Sequence, residues 1–276
     1  MTSARAAVPA TPEPGALLQV AVAAAREAAD LVARGRASAG DRVSTKSSPV
    51  DVVTAVDAAS EELLVRRLLE ARPDDGVLGE EGAAREGTSG VRWIVDPIDG
   101  TVNFLYDIPA YAVSVAAEVD GVVRAGAVLN VATGELFTAT SGGDAWLAAP
   151  GRPARRLAVN APPSLEQTMV ATGFGYRVEQ RRAQGAVVAE LVTRVRDIRR
   201  FGSAALDLCA VAAGRVDAYY ELDLNPWDHA AGALVAAEAG AVVSGLDGGP
   251  VGEPMVVAVA PSVAGPFSAL VSELHR

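Results

Sequence analysis

Three short acidic clusters carry the chemical interest of this sequence. Asp96-Pro97-Ile98-Asp99-Gly100-Thr101 directly follows the apolar run Trp93-Ile94-Val95. Gly79-Glu80-Glu81 follows Val77-Leu78, and Pro226-Trp227-Asp228 opens a helical pattern. Each sets carboxylates at a strand end or a helix start, positions that face crevices rather than a solvated surface. Asp96 and Asp99 lie on a turn shaped by Pro97 and Gly100. Two like charges aimed at one point repel unless a cation neutralises them. A pair of divalent ions about 3.5–4 Å apart needs bridging carboxylates of this kind. The backbone N–H groups of Gly100 and Thr101, at the expected start of a short helix, would seat a phosphate. Taken singly, each cluster has a plainer reading: turn caps for Asp96 and Asp99, a solvated acidic pair for Glu80-Glu81, an N-cap for Asp228. Their conjunction favours a metal-assisted phosphate site.

Composition narrows the choice of metal and partner. Two histidines and one cysteine, Cys209, are too few for a Cys/His zinc centre or a disulfide framework. A metal site must therefore use oxygen ligands, which suits Mg²⁺, Ca²⁺ or Mn²⁺. The balance of 24 basic against 34 acidic residues, a net charge of −10, repels nucleic-acid backbones, so no nucleic-acid partner is expected. Lys46 is the only lysine. No apolar run is long enough to span a membrane, and the stretch Ala16–Ala25 reads as an amphipathic helix rather than a leader. A cytoplasmic protein is expected. Competing signatures fail. Cys209 and Arg215 have the C-x₅-R spacing of cysteine phosphatases, but Cys209 lies in an apolar helical pattern that reads as core. Lys46 follows Thr45, not the glycine of a phosphate-binding loop, and Asp96–Gly100 lacks the alternating ligands of a Ca²⁺ loop. His229 reads as structural or as a support to the site.

The elements that must position these clusters follow from periodicity. Residues 1–15 carry three prolines and read as a mobile tail. The spacing predicts helices over 16–37 and 51–72, the second stopped by Pro73, with a polar loop between. Residues 91–150 read as a mostly antiparallel sheet with hairpins at Asp120-Gly121 and Thr133-Gly134. From about 165 the pattern alternates. Strands are expected over 169–172, 216–220, 241–243 and 256–260, and helices over 177–194, 203–213, 226–239 and from 262. A boundary among the prolines of 150–165 divides the chain into subdomains 16–155 and 156–276, with the site between them.

The motifs together resemble the inositol monophosphatase family, within the lithium-sensitive, Mg²⁺-dependent phosphatases. Residues 93–104 match its first signature and Trp227–Gly240 its second. Lys46–Asp57, Gly79-Glu80-Glu81 and Asp217–Glu221 also match, so the likeness runs from about residue 16 to 260. It implies an α+β fold, a layered α-β-α-β-α sandwich like that of fructose-1,6-bisphosphatase, and a phosphoric monoester hydrolase. It implies two or three Mg²⁺ per site. Glu80, Asp96 and the Ile98 carbonyl would hold the first ion, and Asp96, Asp99 and Asp228 the second. Glu81 would sit near a weaker third position. Gly100 and Thr101 would bind phosphate, and Asp57 would pair with the Thr101 hydroxyl. Thr101 and Glu80 would orient the attacking water. Lys46 would lie on a loop over the site. Substrate hydroxyls would meet Asp99, Ser203, Ala204, Glu221 and Asp228. Myo-inositol monophosphate is the implied substrate. Histidinol phosphate, another sugar phosphate or a 3′-phosphoadenosine nucleotide are alternatives with the same chemistry, and a regulatory protein retaining the fold is an alternative of another class. The resemblance also implies a homodimer.

Overall fold

The computed structural model describes residues 12–39, 43–45 and 52–276, with side chains for 12–35 and 55–276. Most of the expected tail and all of Lys46 lie outside the described residues. In chain order the elements begin with α1 (Pro14–Ala39), β1 (Val43–Thr45), β2 (Val52–Thr54), α2 (Ala55–Ala71), β3 (Gly76–Gly79), β4 (Ala84–Arg85), β5 (Val91–Asp99) and α3 (Thr101–Tyr106). There follow β6 (Ala112–Val119), β7 (Val122–Asn130), β8 (Leu136–Thr140), β9 (Ala145–Ala149) and β10 (Arg152–Arg156). The rest are β11 (Met169–Thr172), α4 (Val178–Leu191), β12 (Asp197–Arg199), α5 (Ala204–Ala212), β13 (Ala218–Leu222), α6 (Pro226–Glu238), β14 (Val242–Ser244), β15 (Met255–Val259) and α7 (Ala264–Leu274).

Two sheets organise the chain. The first has eight strands in the order β10-β9-β8-β7-β6-β5-β3-β4, and the second five in the order β12-β11-β13-β15-β14. The two-residue period of a strand sorts side chains between faces. On β5, Val91, Trp93 and Val95 pack with α1 and α2, while Ile94 packs on the opposite face with residues of α5 and α6. On β13, Tyr219 joins Leu208 of α5 and Ala236 of α6, whereas Ala218 and Tyr220 join Leu191 of α4 and Phe267 of α7. Helices α5 and α6 are thus the shared filling between the two sheets. The layers run α1/α2, first sheet, α5/α6, second sheet, α4/α7, the α-β-α-β-α sandwich expected. Almost every residue of α5 is buried, as expected of a helix covered on both sides, and all but Asp207 are apolar.

Several elements depart from the expected pattern, β1 among them, since Val43–Thr45 lies in the stretch expected as a polar loop. The helix expected from residue 51 starts at Ala55, and Val52–Thr54 is instead a strand antiparallel to β1. Its β-branched residues favour extended backbone. β10 is an exposed edge strand, Arg-Pro-Ala-Arg-Arg, whose charges and proline hide it from an apolar-pattern reading. β12 is a three-residue edge strand parallel to β11.

Candidate metal and phosphate site

The key distortion lies at the end of β5. Asp96 pairs with Ser114 and Asp99 with Ala112, so β5 carries one residue more than β6 between these pairs. In a regular strand, residues three apart point to opposite faces. The extra residue makes a bulge, which tolerates Pro97 and re-aims the side chains that follow. The expected turn is therefore a bulge inside a strand, and it lets Asp96 and Asp99 converge. β3 runs parallel to β5 with Gly79 opposite Val95, so Glu80 and Asp96 leave the two strand ends side by side. Clefts beyond the carboxyl ends of parallel strands are frequent ligand sites.

Two helix starts complete the cluster. Asp228 is the third residue of α6, and its Oδ2 accepts the Asn225 N–H at 2.6 Å. The capping role and the cluster role coincide in one side chain. Asp99 Oδ2 accepts the Ser203 hydroxyl at 2.6 Å and the Ala205 N–H at 2.7 Å, both from the start of α5. Carboxylate oxygens of Asp96, Asp99 and Asp228 lie within 4.8 Å of one another. Asp96 is 1% exposed, and neither of its carboxylate oxygens has a hydrogen-bond partner. A buried carboxylate in that condition is costly unless a cation supplies the missing partner. Burial and then the charges of Glu80, Asp99, Asp228 and Asp57 push its carboxyl well above the usual range. Burial likewise raises Asp228, reinforced by Asp99. Burial carries Asp99 up to about 6, with the bonds from Ser203, Ala205 and Ala204 opposing it. An acid-only donor set with orphaned oxygens fits a hard divalent cation.

The cluster forms the floor of a cavity of about 720 Å³. Of the residues singled out from sequence, Glu80, Asp96, Ile98, Asp99, Gly100, Thr101, Ser203, Ala204, Glu221 and Asp228 line it. Asp57 and Glu81 are not on its wall. Asp57 is buried at 1% exposure, close enough to Asp96 for its charge to act there. The Thr101 hydroxyl donates to the Ile98 carbonyl at 3.0 Å. Gly100 has φ +93°, and a Cβ there would lie 2.9 Å from the Ala110 carbonyl oxygen, so this position needs glycine. Glu221, next to last in β13, lines another part of the wall. Burial raises it to about 7 although Tyr219 donates to it at 2.8 Å.

The cysteine-phosphatase signature resolves as expected. Cys209 is fully buried, burial pushes its thiol well up, and Arg215 pairs with Glu135. Burial pushes His229 down to about 4, so the ring is neutral.

Residues 14–274 match the profile of the inositol monophosphatase family. The chain belongs to that family. It is 50% identical over 247 residues to the inositol-1-monophosphatase of Mycobacterium leprae, covering 87% of this chain and 84% of that one. The solved structure of Mycobacterium tuberculosis SuhB matches with a TM-score of 0.83 at 46% identity, covering 96% of this chain and 98% of that one. The Nus factor SuhB of Escherichia coli K12 is 39% identical over 235 residues, 84% of this chain and 86% of that one. Among the described residues no helix is long and apolar enough to cross a membrane.

Several residues of this family member's site escaped the sequence reading. Arg177, Arg181 and Arg200 line the cavity, and the charge of Arg200 lowers both Asp99 and Glu221. The cavity thus joins an acidic floor to basic wall residues. Asn103 donates to the Ala110 and Phe201 carbonyls at 2.7 Å each, tying α3 to the segment before α5. A Cβ at Gly173 would overlap the Glu221 carboxylate. Glycines flanking Phe174 were the only sequence signal for that last role.

Proposed function

We propose that the protein hydrolyses phosphate monoesters in a Mg²⁺-dependent reaction, with myo-inositol monophosphate as its substrate. The observation that carries this reading is the buried, unpartnered Asp96 carboxylate facing Asp99 and Asp228 at the floor of an open cavity. Glu80, Asp96 and the Ile98 carbonyl would hold one ion, Asp96, Asp99 and Asp228 a second, with Glu81 near a third. Bound Mg²⁺ would supply charge neutralisation for the phosphate and a lowered pKa for water. The backbone N–H groups of Gly100 and Thr101 donate to phosphoryl oxygens. Thr101 and Glu80 orient the attacking water and relay its proton, which the Glu80 carboxylate accepts, with Asp57 supporting Thr101 from behind. Asp228 guides the proton that returns to the leaving alkoxide. Asp99, Ser203, the Ala204 backbone, Glu221 and Asp228 accept or donate hydrogen bonds at the substrate hydroxyls. This reading divides the chain at 155/156, with the site between the two subdomains, and assigns a cytoplasmic homodimer.

Phosphate release from inositol 1-phosphate, histidinol phosphate and 3′-phosphoadenosine 5′-phosphate, each with Mg²⁺ and with EDTA, tests the substrate. Preference for inositol 1-phosphate supports the reading. Preference for another ester keeps the chemistry and changes the substrate. Glu221 offers a finer check. Gly173→Ala should push its carboxylate aside and weaken one substrate hydrogen bond. A KM raised about 2- to 10-fold for a polyhydroxylated ester is expected, with kcat little changed. An unchanged KM would remove Glu221 from substrate contact.

A second reading comes from the relative named Nus factor. It supposes a macromolecular partner bound independently of turnover. Capture of the same partner from the source cell's extract by the parent protein and by folded Asp96→Asn would support it. Capture by neither would count against it.

A further inference from the structure

We infer that Glu61 is a positioning residue that holds the Glu80 loop in its metal-facing form, an inference that rests on the metal-site reading above. Glu61 lies on α2, 6% exposed, beneath the loop that leaves β3. Its Oε2 accepts the Glu81 N–H and its Oε1 the Ala83 N–H, each at 2.8 Å. The Gly79 N–H closes the same loop on the Ala83 carbonyl at 2.7 Å. Glu80 is therefore flanked on both sides by residues whose amides are already bound. A carboxylate spanning two loop N–H groups makes charge-assisted bonds, stronger than neutral ones. Gly79 is part of the same device, since a Cβ there would overlap the Glu61 carboxylate.

The residue before it on α2 reaches the other acidic loop. Ser60 Oγ donates to the Pro97 carbonyl at 3.3 Å, at the bulge that separates Asp96 from Asp99. One helical turn, Asp57 to Glu61, thus stands behind both loops and sets their spacing. Sequence patterning gives no hint of this, because the bonds run to backbone amides of a distant loop. Residues that orient metal ligands typically govern affinity by about 10- to 100-fold.

The test is calorimetric titration of Mg²⁺ into the full-length protein, beside the Mg²⁺ dependence of turnover. Glu61→Gln and Glu61→Ala are expected to raise the Mg²⁺ dissociation constant about tenfold or more. At saturating Mg²⁺ kcat should stay within about threefold of the parent, the split expected of a residue acting through another. Gly79→Ala should weaken Mg²⁺ binding in the parent but add little on top of Glu61→Ala, because both remove one clamp. Should Glu61→Ala fail to fold, Gly79→Ala in the parent and in Glu61→Gln gives the same cycle. Parent-like Mg²⁺ affinity in the folded Glu61 variants, or additive effects in the cycle, would overturn the inference. A parent protein that binds no Mg²⁺ would overturn the metal-site reading and this inference with it.

Discussion

Asp96→Asn is expected to abolish turnover and to make the EDTA-treated protein more stable than the parent. The two effects share one cause. Asp96 is buried, its oxygens lack partners, and it faces the charges of Glu80, Asp99, Asp228 and Asp57. Neutralising it relieves that repulsion, at the cost of burying an amide with incomplete partners. The net gain should be about 1–2 kcal/mol, or about 2–6 °C in melting temperature. Turnover should fall by at least about 10²–10³-fold, the usual penalty for removing a fixed electrostatic partner of a developing charge. Calorimetric melting in EDTA and steady-state rates in saturating Mg²⁺ check the pair. A variant less stable than the parent, yet active, would show that Asp96 is a structural carboxylate.

Stabilisation by Mg²⁺ is expected to grow as pH rises through about 6 to 7. Burial raises Asp96, Asp99 and Asp228 in the folded protein, Asp99 to about 6, and it raises Glu221 to about 7. A folded-state value above the unfolded one means that the folded protein holds protons the unfolded chain has released. The associated stability is complete below about pH 4 and is lost as pH rises through the folded values. His229 runs the other way. Burial lowers it to about 4, so its contribution is present above the ordinary histidine range and is lost on acidification. Comparing melts with and without Mg²⁺ at each pH cancels the histidine and isolates the cluster. Cations bind the deprotonated carboxylates, so they compete with those protons. At 100 times the dissociation constant, Mg²⁺ adds about 2.7 kcal/mol at pH 8. Near pH 5.5 most of that gain should vanish, a difference on the order of 5 °C. Equal Mg²⁺ shifts at both pH values would place the bound ion away from these carboxylates.

Much of the site was legible because its chemistry is compressed into short segments. Asp96, Asp99, Gly100 and Thr101 fall within six residues after one strand, and Pro226 announces the helix that delivers Asp228. The layer order was accessible only through the family likeness, since no periodicity tells a helix which two sheets will cover it. The means of convergence was not legible. A proline between two aspartates reads as a turn, whereas the strand continues through it with one extra residue, and only pairing with β6 reveals the bulge. Long-range support was equally silent. Asn103 and Glu61 act through carbonyl and amide groups of distant loops, and such bonds leave no pattern in side-chain type. Edge strands β10 and β12 were missed because one exposes charge and the other is three residues long.

The most direct measurement is phosphate release from inositol 1-phosphate as Mg²⁺ is titrated into EDTA-treated protein, beside Asp96→Asn under the same conditions. A rate that rises from none to saturation in the parent and stays flat in the variant is the predicted result. Hydrolysis that proceeds equally in EDTA, or that Asp96→Asn leaves intact, would contradict a catalytic cation site at Asp96, Asp99 and Asp228.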